Sequence, residues 1–229
     1  MAPTPGELVR IVAEALDEAE PTVIQHDRNL FAAGLRTKGG RGPSAAKTTL
    51  RDAAHLTIAV MGTQFVRDSV EVVKGFGATK VWKESQNDRG WAGYCVPELA
   101  RLPDEHTLID AVEALFLSIG TGSLHEALRR ACGPGGAPNL PDVRLAVQMP
   151  MRLGDLSIGP GPASRCVRYE RPPDAIPVAE RGKALLGLGA AFYSQDSRKI
   201  WQQVGLQPML KIANAFFDSL PANVKLEAA

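Results

Sequence analysis

The chain has 229 residues, 45% of them apolar and 22% charged, with a formal net charge of +1. Such a length buries one large core or two small ones, and such a composition is neither disordered, collagen-like nor disulfide-dense. A nearly neutral total excludes a wholly polybasic or polyacidic chain, so any sign of an anionic partner has to lie in how the charge is distributed.

Leu8, Val9, Ile11, Val12, Ala15 and Leu16 recur at helical spacing, and the acidic Glu7 suits the start of a helix over 7–16. Asp17–Glu20 reads as a turn. Pro21, suited to a first helical position, opens a second helix whose Val23, Ile24, Leu30, Phe31 and Leu35 face inward and which ends at Gly34, a natural left-handed cap. Lys38–Lys47 is a glycine-rich basic loop. Thr49-Leu-Arg-Asp52 approximates a capping box and opens a third helix that ends near Gly62. A further amphipathic helix is expected at about 64–74, broken by Gly75 and Gly77, then a loop over 82–97 packed by Trp82, Trp91 and Tyr94.

Leu108–Ile119 is a strong amphipathic helix that can run on toward Arg130, and Cys132–Pro138 is the clearest break in the chain. The period then changes to that of a strand in Val143, Leu145, Val147 and Met149. With Leu153–Ile158 and Arg165–Glu170 it predicts a small antiparallel meander. Two helices, about 178–193 and 196–219, close the chain. Trp201, Phe216 and Phe217 on the second serve either the core or a dimer interface.

The cysteines, Cys95, Cys132 and Cys166, stand far apart with no metal-ligand spacing, and read as small buried apolar residues in a reducing compartment. Of the histidines, His26 reads as surface or groove-facing, His55 as a satisfied core residue, His106 as an aid to capping the helix after it and His125 as a helix residue. No basic leader followed by an apolar run opens the chain, and no apolar stretch is long enough to span a bilayer. A soluble, cytoplasmic protein without a membrane partner is therefore expected. Gly75-Phe-Gly77-Ala-Thr-Lys80 lacks the spacing of a phosphate loop or dinucleotide fingerprint, and no Gly-x-Ser-x-Gly elbow occurs. Neither an enzyme nor a cofactor or metal is expected.

Charge is concentrated in residues 21–51, where Arg28, Arg36, Lys38, Arg41, Lys47 and Arg51 stand against Asp27 for a local sum of +5. Leu8, Val12, Leu16, the short turn, Thr22-Val23, Arg28, Leu30, Ala33-Gly34-Leu35 and the basic loop together resemble a winged helix-turn-helix domain. The resemblance implies that the second helix enters the major groove of double-stranded DNA while the loop acts as a wing. It points Thr22, Gln25, His26 and Asn29 to the groove floor, where Gln and Asn can pair with adenine. Arg28, Arg36, Lys38, Lys47 and the Thr48 hydroxyl would hold phosphates. Gly40 and Arg41, in a Gly-Arg-Gly-Pro run similar to an AT-hook, would enter a narrow minor groove. Residues 33–42 with Thr49–Ala54 also resemble bacterial phage- and prophage-associated proteins.

On this reading the fold class is α+β and mainly helical. A winged helix-turn-helix DNA-binding domain spans 1–62, an α+β domain suited to dimerisation spans 63–221, and 222–229 form a tail. The function expected is a DNA-binding transcriptional regulator, nucleoid-associated when bound to DNA and paired as a dimer. The alternatives are a phage DNA-packaging subunit and a protein-interaction module.

Overall fold

A computed structural model describes residues 2–38, 47–82, 90–132, 142–149, 152–159, 165–170 and 200–217. Helix α1 (Pro5–Leu16) begins at a reciprocal capping box between Thr4 and Glu7, with proline in its first turn, where no N–H is needed. Asp17 turns the chain in the left-handed region at φ 53°. Helix α2 (Glu20–Ala32) then runs to Gly34, at φ 72°. There Leu35 N–H donates to the Leu30 carbonyl and Gly34 N–H to that of Phe31, the bonding pattern of a Schellman cap. A residue with a side chain would be strained at this φ.

Helix α3 (Leu50–Gly62) starts at the box between Thr49 and Asp52 and is buried from Asp52 to Gly62. It packs on α1 and α2 and more extensively on later elements: α4 (Ser69–Phe76), α6 (Leu108–Thr121), β2 (Asp142–Met149) and β5 (Ile200–Val204). A Cβ on Gly62 would stand 2.3 Å from Val72 Cγ1, so α3 and α4 meet backbone to side chain. A 3-10 turn at Val66–Asp68 precedes α4, which runs through Gly75, where a Cβ would meet the Arg152 side chain lying over that position. A two-residue strand, β1 (Lys80–Val81), and a short helix, α5 (Pro97–Ala100), follow. The helix expected from Leu108 toward Arg130 is two helices, α6 and α7 (Ser123–Cys132), separated by Gly122 at φ 78°.

Strands β2, β3 (Leu153–Gly159) and β4 (Arg165–Glu170) form the antiparallel meander read from the sequence, within a sheet ordered β1-β4-β3-β2-β5. Val143 pairs with Ile158, and Leu145 with Leu156, which pairs in turn with Val167. This apolar face is buried against α3, α6 and α8 (Leu206–Asn214), while Arg144, Asp155, Cys166 and Arg168 occupy the other face.

Ile200–Val204, expected as part of a long helix, is instead a strand paired with β2. The helix begins only at Leu206, after Gly205 and with Pro208 in its first turn. The expected helix over 178–193 and the tail over 222–229 lie outside the described residues. The buried apolar residues form a continuous cluster from Leu8 to Ala213, and it crosses residue 62, where the sequence placed a boundary between domains.

Candidate functional site

Both ends of the basic loop are fastened to the start of α3. On the outgoing side, His55 Nδ1–H donates to the Leu35 carbonyl at 2.6 Å and Thr37 N–H donates to Asp52 Oδ1 at 2.8 Å. On the returning side, Thr49 N–H donates to the other Asp52 oxygen at 2.8 Å. Thr48 donates to the Pro3 carbonyl through both its amide, at 3.1 Å, and its hydroxyl, at 2.8 Å. The Asp52 carboxyl group, on a residue only 5% exposed, therefore holds residues 37 and 49 at once. Lys38 and Lys47 emerge from these two stems exposed and unpaired among the described residues.

Of the side chains the sequence directs at DNA, Gln25 and Arg28 stand exposed three residues apart on the outward face of α2, and Thr22 is half-buried on the same stripe. Four others are used internally. His26 is buried and donates from Nδ1 to Ser69 Oγ at 2.8 Å, and that hydroxyl donates in turn to the Val66 carbonyl. Asn29 Nδ2 donates to the same carbonyl at 2.6 Å. Arg36 Nε lies 2.9 Å from Asp27 Oδ1, with its guanidinium 4.6 Å above the centre of the Phe31 ring. Thr48 is bonded to Pro3 as described. Gly40 and Arg41 lie outside the described residues. Val23, His26, Asp27 and Leu30 follow the i, i+3, i+4, i+7 spacing of a buried stripe, a signal already present in the sequence.

Internal pairing reshapes the local charge. Burial raises the Asp27 carboxyl above its ordinary range, Arg36 draws it back and the neighbouring Asp52 raises it further. Arg51 is taken up by α6, at 2.8 Å from Asp110 and 2.9 Å from Glu113. Within residues 21–51, the cations left exposed and unpaired among the described residues are Arg28, Lys38 and Lys47.

A second polar constellation lies under the sheet. Trp91 Nε1–H donates to the Tyr169 hydroxyl at 2.7 Å, and that hydroxyl lies 2.9 Å from His106 Nε2. His106 Nδ1 faces the Pro103 carbonyl at 2.6 Å, so it carries the ring proton, and Nε2 accepts from Tyr169. Burial pushes the Tyr169 hydroxyl far up and the His106 imidazole down. Both groups are neutral and mutually satisfied, an arrangement that locks a core rather than offering a base or nucleophile. A cavity of about 20 Å³ beside His106, Trp91 and Asp104 has room for about one water molecule. The cap of α6 is made by Thr107 and Asp110 rather than by His106. Cys95 and Cys166 are exposed, contrary to the buried role read from their spacing.

No protein-family model, curated protein or solved structure matches the chain. Among the described residues no helix is long and apolar enough to cross a membrane, and no three or more His, Cys, Asp or Glu side chains gather as a metal site. Asp52 is legible in the sequence only as a helix cap. Its bond to Thr37, fifteen residues away, depends on how the stems cross.

Proposed function

We propose that the protein binds double-stranded DNA and acts as a transcriptional regulator. Its contact surface is the outward stripe of α2 (Thr22, Gln25, Arg28) together with the loop from Lys38 through Gly40 and Arg41 to Lys47. On this reading α1, the three-residue turn and α2 form a helix-turn-helix, and the loop is its wing. The observation that carries the reading is the pair of exposed lysines, unpaired among the described residues, at the two ends of a glycine-rich basic stretch whose stems meet on one carboxyl group.

Lysine and arginine contacts to phosphate set affinity and register without reading sequence. With Asn29 held by Val66 and His26 by Ser69, Gln25 is the adenine-reading side chain left at the surface. Binding is thus dominated by the phosphate backbone, with modest preference among sequences.

Retention of a labelled mixed-sequence duplex at rising salt tests the proposal. The wild type should bind at about 50 mM salt and weaken linearly on a logarithmic plot, and Lys38→Ala/Lys47→Ala should lower that slope by about two. Absence of salt-dependent binding by the wild type overturns the reading and leaves a protein-interaction role, whereas salt-dependent binding with equal slopes for the two proteins removes the lysine-flanked loop from the contact surface. A dimer in solution belongs with a regulator, whereas a ring of many subunits points to DNA packaging.

A further inference from the structure

We propose that Asp52 is a positioning residue for anion binding by Lys38 and Lys47, an inference that rests on the DNA-binding reading above. Its two oxygens accept separate backbone N–H groups, Thr37 from the outgoing stem and Thr49 from the returning one, each at 2.8 Å. One nearly buried side chain therefore fixes where both lysines leave the fold, Lys38 one residue after the first bond and Lys47 two residues before the second. Ordering two cationic stems in advance removes part of the conformational entropy that binding would otherwise lose. The start of α3 is closed by its own box, in which Asp52 N–H donates to Thr49 Oγ1 at 3.1 Å. The helix end is thus used to hold the stems, and the anion is left to the lysines.

Charge and position make opposite forecasts here. Asp52→Asn removes a negative charge near the loop, which by electrostatics alone tightens binding to a polyanion. An amide, however, puts a donor nitrogen where one of the two acceptor oxygens stood, so in this orientation the N–H of Thr37 or of Thr49 meets another donor, and one stem is released.

The experiment measures duplex affinity and its salt slope for wild type, Asp52→Asn and Lys38→Ala/Lys47→Ala. The expected result is that Asp52→Asn binds at least about fivefold more weakly at about 50 mM salt, with a slope lowered by about one to two toward that of the lysine variant. Binding as tight as the wild type, or tighter, with an unchanged slope overturns the positioning role while leaving DNA binding intact. A wild type that shows no salt-dependent binding instead overturns the parent reading and this inference with it. If Asp52→Asn loses its helical circular dichroism, Thr37→Pro serves in its place. It deletes the Thr37 N–H and leaves the Thr49–Asp52 box whole, and the same weakening and lowered slope are expected of it.

Discussion

His26, His55 and His106 each turn Nδ1 toward an acceptor inside the protein, and burial holds all three imidazoles below their ordinary range. Protonating His106 would set a donor against the Tyr169 hydroxyl, which already receives the Trp91 N–H and would lose the acceptor for its own proton. An unfolded histidine takes up its proton near pH 6.5 and these three only at lower pH, so unfolding binds protons in that interval. Their stabilisation is complete above about pH 6.5 and lost as the pH falls through the folded values. Asp27, with its carboxyl raised by burial, acts in the opposite sense as it gains a proton in the folded state. All three imidazoles favour the folded state at the upper end of this interval. The urea midpoint should therefore fall between pH 7 and pH 5, and a midpoint that is flat or rising there would contradict the neutral imidazoles.

Glycines decide how closely elements approach. A Cβ on Gly120 of α6 would lie 1.9 Å from Phe217 Cε2, so the ring that follows α8 seats on bare helix backbone. Gly120→Ala gains up to about 1 kcal/mol of helix propensity. It also expels a large ring or strains the packing, at about 1–3 kcal/mol. The clash wins, and melting should occur at lower temperature; Phe217→Ala added to Gly120→Ala should then cost little more, because the two share one contact. A higher melting temperature for Gly120→Ala would show that Phe217 does not rest there.

Local signals mark several element bounds: the box at Thr49, the cap at Gly34 and the alternation from Val143; the first helix, expected from Glu7, starts two residues earlier because Thr4 and Glu7 close a box across Pro5. Residues 200–204 read as helix in the sequence because a run of Ile, Trp and Val fits either period over so few positions. Pairing with β2 settled it as a strand, although Gly205 and Pro208 already marked a later helix start.

At the scale of the whole molecule, α3 is the hub. Leu56, Ile58 and Met61 are fully buried, and much of the surface covering them comes from residues beyond 62, in α4, α6 and the sheet. A fragment ending at residue 62 would expose that apolar surface to water, at about 1.5–3 kcal/mol for each large side chain. The fragment 1–62 should therefore show weak helicity and no cooperative melting by circular dichroism; a sharp transition would establish the boundary that the sequence suggested.

The sequence by itself determined the α+β class, the three N-terminal helices with the caps at Gly34 and Thr49, the meander and the concentration of cations between residues 21 and 51. These depend on periodicity, capping chemistry and composition, all of which act within a few residues along the chain. Only the tertiary structure decided which of those cations face solvent. Arg36 is pinned to Asp27 and Arg51 to α6, while Arg28, Lys38 and Lys47 remain exposed. Whether a polar side chain is free or bonded depends on what packs against it from distant parts of the chain, and Asp52, read locally as a cap, acquires its second partner only when the loop stems converge on it.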